Sequence, residues 1–101
     1  MEKFEMRGAT LVVHEPLTLE DEEEEDKFLD GVERMLEQKG NRACLDLRHA
    51  GNLSSTLIAL IIAAVRKAEN AKKQLRVITS SRNRLAVKIS GLDKLVEVEF
   101  L

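Results

Sequence analysis

Hydrophobic and polar residues change period several times along the chain, and each change marks an element. Residues 2–8 and 9–15 read as two short strands around Gly8, because Ala9-Thr10-Leu11-Val12-Val13-His14 is rich in β-branched residues and glycine supplies a turn. Pro16 cannot donate to a strand ladder and is expected to end the second strand. Phe28, Leu29, Val32, Met35 and Leu36 then recur at spacings of three and four, which predicts an amphipathic helix from about Glu20 to Lys39, stopped by Gly40. The short apolar run Ala43-Cys44-Leu45-Asp46-Leu47 predicts a strand, followed by the loop His49-Ala50-Gly51-Asn52. A long helix is expected from Ser54 to Lys72, a strand over Gln74–Thr79, and a short helix from Arg82 to Ser90 ending at Gly91. Val96-Glu97-Val98-Glu99-Phe100 alternates apolar and acidic residues and predicts a last, half-exposed strand.

The order is β-β-α-β-α-β-α-β. Strands and helices that alternate after residue 40 imply right-handed parallel crossovers, while the opening hairpin is antiparallel. The fold class is therefore α/β: one mixed sheet with helices packed on it, formed by residues 1–101 as a single domain.

Composition narrows the function. Phe4, Phe28 and Phe100 are the only aromatic residues among 101, so the core must be built from Leu, Ile, Val and Ala. A formal net charge of −2, without stacking residues, argues against nucleic acid as a partner. Charge is nevertheless uneven: Asn41–Ser90 carries ten Lys and Arg against Asp46 and Glu69, and the first 40 residues carry the opposite excess. The acidic run Glu20–Asp26 reads as a solvated first helical turn that favours the positive end of the helix dipole. A lone cysteine, Cys44, fits a reducing compartment. The start Met-Glu-Lys-Phe-Glu has no basic-then-apolar leader pattern, and the longest apolar run, Leu57–Val65, is about half of the roughly 20 residues a membrane helix needs. A cytoplasmic protein without direct membrane insertion is expected.

No catalytic constellation is visible, and an enzyme is not expected. His14 and His49 lack partners at metal-ligand spacing, no phosphate-binding glycine loop is present, and Cys44 in an apolar strand reads as an inert core residue. No cofactor and no metal are predicted. The informative stretch is Leu53-Ser54-Ser55-Thr56, where three hydroxyls meet a helix start. Ser54 suits the N-cap, and Ser55 and Thr56 then remain exposed where the helix dipole and free N–H groups would stabilise a phosphate. At 100° per residue, Leu57, Leu60, Ile61, Ala64, Val65 and Ala68 share the core face. Ser55, Ala59, Ile62 and Arg66 fall opposite, with Ile58 at the border, and form a candidate docking stripe.

Taken in order, Ala43-Cys44-Leu45-Asp46-Leu47-Arg48, Ser54-Ser55, the apolar helix, Leu75-Arg76-Val77-Ile78 and Gly91-Leu92-Asp93-Lys94-Leu95 resemble the STAS domain, the domain of bacterial anti-sigma factor antagonists, over residues 8–100. The resemblance implies a protein-binding regulatory module that acts in transcription regulation. Such a module binds a kinase-type anti-sigma factor and is switched by phosphorylation of a Ser at the helix start. By position that residue is Ser55, with Ser54 and Thr56 as lesser candidates, and Asp46 matches the acid that ends the strand. The partner surface would comprise Leu53, Ser54, Ser55, Thr56, Ile58, Ala59, Ile62 and Arg66, on a monomer or weak dimer. The alternatives are a cytoplasmic STAS subunit of a membrane ABC transporter and a scaffold subunit of a larger signalling assembly. The chain departs from the family pattern at Leu53, where Asp is usual, and at Thr56, where Gly is usual. Neither residue is needed for the core, so the fold expectation stands.

Overall fold

A computed structural model describes residues 3–101. The first expected strand, 2–8, begins at Glu2, which lies outside the described residues. Strands β1 (Phe4–Arg7) and β2 (Thr10–Val13) form the antiparallel hairpin, with Phe4 opposite Val13 and Arg7 opposite Thr10. Helix α1 (Glu22–Glu37), β3 (Arg42–Asp46), α2 (Ser55–Asn70), β4 (Gln74–Thr79), a 3₁₀ turn (Ser81–Asn83), α3 (Arg84–Ser90), α4 (Leu92–Leu95) and β5 (Glu97–Phe100) follow. The five strands lie in the order β1-β2-β3-β4-β5, and β2 to β5 are all parallel. Each crossover advances one strand in the same direction, so right-handed connections bring all the helices back to one face.

The alternation along each strand records this. In β3, Ala43 and Leu45 are buried towards the helices, and Leu47 continues the series, while Arg42, Cys44 and Asp46 point the other way. In β4, Leu75, Val77 and Thr79 are buried on the helical side. Phe28, Val32 and Met35 of α1 and Ile61 and Ala64 of α2 reach 0% exposure against them. Gly31 lets α1 approach β2 closely: a Cβ there would meet a Leu11 methyl at 3.0 Å. The bare face carries ion pairs, Arg7–Glu5 at 2.9 Å, Arg48–Asp46 at 2.8 Å and Arg76–Glu99 at 3.0 Å. Val12 and Ile78 on that face are only 4% and 8% exposed, as expected where long charged side chains lie along apolar surface.

Helix ends explain where the elements stop. Asp21 caps α1 by accepting from the Glu24 N–H at 3.1 Å, so the helix starts after the cap and not at Glu20. α2 ends at Asn70, and Lys72, expected inside the helix, adopts φ 58° while Lys73 N–H closes on the Ala68 carbonyl at 2.9 Å. Gly91 stops α3 with φ 74°, as expected, but the chain restarts at once as α4 and plants Leu92 in the core. No helix among the described residues is long and apolar enough to cross a membrane.

Ile61 lies at 0% exposure at the centre of this layer. Ile61→Asp is expected to cost more than about 3 kcal/mol, the scale of an uncompensated buried charge, and to abolish a cooperative thermal transition. A variant that keeps its melting midpoint would show that α2 is not seated as described.

Candidate functional site

The surface of interest is built where β3 delivers the chain to the start of α2. Leu47 N–H donates to the Ile78 carbonyl at 2.7 Å and ends the pairing with β4. The loop then turns, with Ala50 N–H on the Leu47 carbonyl and Leu17 N–H on the Ala50 carbonyl. Gly51 sits at φ 82°, and a Cβ there would lie 3.1 Å from Pro16, so glycine suits both the backbone and the contact. Leu53 N–H donates to Asn83 Oδ1 at 3.3 Å, and Asn83 Nδ2 donates to the Gly51 carbonyl at 3.2 Å and to Thr79 Oγ1 at 3.0 Å. One side chain, 3% exposed, thus ties the loop before α2 to the end of β4.

Ser54 is the N-cap, as expected. Its backbone is extended and its Oγ accepts from the Leu57 N–H at 3.1 Å. Ser55 and Thr56 open the helix with exposed side chains, and Ala59 and Arg66 are exposed as well. The exposed line along α2 is therefore narrower than the spacing suggested. Ile58 and Ile62 are half-buried against the core, because α1 on one side and α4 on the other flank α2 and cover more of it than one face. Leu60, assigned to the core face, is likewise only half-buried.

Leu53 is the clear correction. It was expected on the partner surface and as a residue the core does not need, and it is 7% exposed within the core cluster. The bond of its N–H to Asn83 turns the residue inward just before the cap. Asp46 also stands apart from Ser55. It faces the bare side of the sheet, 5% exposed, and accepts from the Arg48 guanidinium at 3.1 and 2.8 Å and from the Arg48 N–H at 3.1 Å. Burial pushes its carboxyl up, and the Arg48 side-chain and backbone bonds outweigh that, leaving it below its ordinary 3.8. Cys44 shares the bare face, and burial pushes its thiol up despite the Arg76 guanidinium beside it, which disfavours the thiolate. His49 is an exposed loop residue.

Asn83 was not singled out from the sequence. The one available signal was its place in Thr79-Ser80-Ser81-Arg82-Asn83, a polar run directly after a strand.

No protein-family model matches the chain, and no curated protein matches its sequence. Two solved structures do resemble it. A crystal structure of a "putative anti-sigma factor antagonist" from Thermotoga maritima superposes with a TM-score of 0.73 at 13% identity, over 97% of this chain and 85% of that one. An NMR structure of the same protein gives 0.70 at 15% identity, over 99% and 81%.

Two stability measurements test the construction of this surface. Ser54→Ala should lower stability by about 0.5–2 kcal/mol, the cost of a lost cap, whereas Ser55→Ala should change it little. Asn83→Ala should cost at least about 1 kcal/mol, because buried groups lose their partners. Equal effects at Ser54 and Ser55 in a melting series would move the cap.

Asp46 supplies a pH test. A folded pKa below 3.8 means that the Arg48 pair contributes fully above that value and is lost as pH falls through the lower folded value. Stability should therefore drop on acidification below about pH 4, and Asp46→Asn should flatten that limb. An unchanged acid limb would remove Asp46 from the linkage.

The chain thus has the mixed, one-sided sheet and helix order of that antagonist fold, consistent with the STAS resemblance of its strand end, helix start and closing Gly91–Leu95 segment.

Proposed function

We propose that the protein is a cytoplasmic binding module and not an enzyme, an antagonist that engages a kinase-type anti-sigma factor through the exposed start of α2. The observation that carries this reading is the division of labour at that start. Ser54 is committed to the cap, and Ser55 and Thr56 are left as free-standing hydroxyls beside the exposed Ala59. The fold shared with the Thermotoga antagonist supports the same reading. Asn83 and Pro16 brace the loop, and such bracing lowers the ordering entropy that opposes binding.

Ser55 is the proposed switch. A phosphate adds about −1.5 to −2 charge at neutral pH, and the helix N-terminus stabilises it in the free protein by roughly 0.3–1 kcal/mol. The same charge must be desolvated when a partner packs over Ala59, so it opposes association. The side chain of Thr56 crowds this approach, and a partner must leave room for it.

Affinity purification from the native host followed by titration of the recovered partner tests both parts. Ser55→Asp should melt like the parent and bind about tenfold more weakly, roughly 1.4 kcal/mol. Ala59→Glu should do the same, because Ala59 is exposed and carries no core load. Recovery of transporter subunits in place of an anti-sigma factor would assign the chain to the transporter alternative. Unchanged affinity in Ser55→Asp would remove the switch.

A further inference from the structure

The large hydrophobic side chains that stand exposed among the described residues are Leu85, Ile89, Leu95 and Leu101, all in the last quarter of the chain. Leu85 and Ile89 are 67% and 77% exposed and lie one helical turn apart, so they share one face of α3. The opposite face is already in use, with Val87 at 1% exposure and Leu92 at 0% just beyond the helix. The exposed pair is therefore not a core face seeking an internal partner. Its surroundings are basic. Arg82, Arg84, Lys88 and Lys94 are exposed along residues 81–95, against Asp93 alone. The excess of +3 contrasts with −2 for the whole chain. Arg84 is also held in place, its guanidinium 4.5 Å from the centroid of Phe100.

We propose that this face of α3 is a second docking surface, and that its occupant is a protein segment that is acidic and apolar together, an amphipathic helix with Leu or Ile flanked by Glu or Asp. Charge complementarity carries the choice. Two apolar side chains give the anchor, and the exposed cations of the same short segment, Lys88 directly before Ile89 among them, set the sign of the charge it presents. A second copy is a poor fit. An α3-to-α3 contact would bring Arg84 and Lys88 against their own kind, and the acidic first turn of α1, Glu22–Glu25, offers charge without an exposed apolar anchor. An anionic membrane fits less well. The patch is two side chains on a two-turn helix, too little apolar surface to insert into a bilayer. This surface is independent of the α2 reading, and its test uses no partner from that reading.

The test is a ¹⁵N-HSQC titration of the full chain with two synthetic helical peptides, one with Leu on one face and Glu on the other, the second with every Glu replaced by Lys. The acidic peptide should give saturable shifts centred on Arg84–Ser90 and bind at least about tenfold more tightly than the lysine peptide. Leu85→Ser with Ile89→Ser should abolish the shifts while the remaining resonances stay in place, since both side chains are exposed. Arg82→Glu with Lys88→Glu should invert the preference between the peptides. Equal binding of both peptides, no shift on α3, or unaltered binding by the serine variant overturns the proposal. Capture by vesicles containing phosphatidylserine without peptide binding assigns the face to lipid. Shifts on α3 that grow with protein concentration alone assign it to a second copy. Either of those results also overturns the proposal.

Discussion

Four strands run parallel, and each crossover steps the same way across the sheet, so one layer of helices must cover the whole apolar face. Parallel sheets are ordinarily covered on both sides. Here the other side is made tolerable by composition: its strands place mostly Arg, Glu, Asp and Cys there, and the exceptions, Val12 and Ile78, are buried despite facing that side. This constraint sets the rest. The helices cannot share the burden with a second layer, and α2, flanked by α1 and α4, buries Leu57, Ile61, Ala64, Val65 and Ala68 and half-buries Ile58, Leu60, Ile62 and Ala63. What α2 can offer to a partner is restricted to what remains: its first turn and a narrow line through Ala59 to Arg66.

The first turn of α2 is therefore the part of the helical layer most free to carry chemistry, and it is also where the layer needs the most bracing. A helix start leaves backbone N–H groups without partners, and a loop that turns from strand to helix leaves more. Ser54 satisfies one of these by capping. Asn83 satisfies the Leu53 N–H and the Gly51 carbonyl from the far side of β4. The Ser55 and Thr56 side chains take no part in this cap or brace. A substitution or modification there would leave the cap in place, whereas one at Ser54 would remove it.

Much of this was legible because it is local. Hydrophobic period, β-branched runs and capping residues depend on near neighbours, and every strand and long helix falls within about two residues of its expected bounds. Ser54 was identified as the cap because the rule needs three residues of context. The misses have the opposite character. The tie between Asn83 and Leu53 spans 30 residues in sequence, and no local pattern marks it. Leu53 is one apolar residue among polar ones, so it has no period to follow, and its place in the core cluster depends on contacts remote in sequence. The half-burial of Ile58 and Ile62 depends on how α1 and α4 crowd α2, which a single helical wheel cannot contain. Gly91 was read as a stop, which it is, but a residue with φ 74° can also redirect the chain into a new turn, and α4 follows from that.

The same one-sided layer gives meaning to the uneven charge along the chain. α1 lies over the hairpin side of the sheet and opens with Glu22, Glu23, Glu24 and Glu25, while α3 lies at the β5 side and carries Arg84 and Lys88. Consecutive segments become neighbouring strips, so a charge gradient in sequence becomes a charge gradient across one face of the molecule. A net charge of −2 hides this. The helical layer runs from the acidic α1 to α2 with its exposed hydroxyls, and the basic α3 lies towards Phe100 of β5. Orientation can then be selected before contact is made, because a partner turned around would set like charges against each other at both ends. On the bare face of the sheet, by contrast, Glu5, Asp46 and Glu99 are paired with Arg7, Arg48 and Arg76, which reduces the field those charges project.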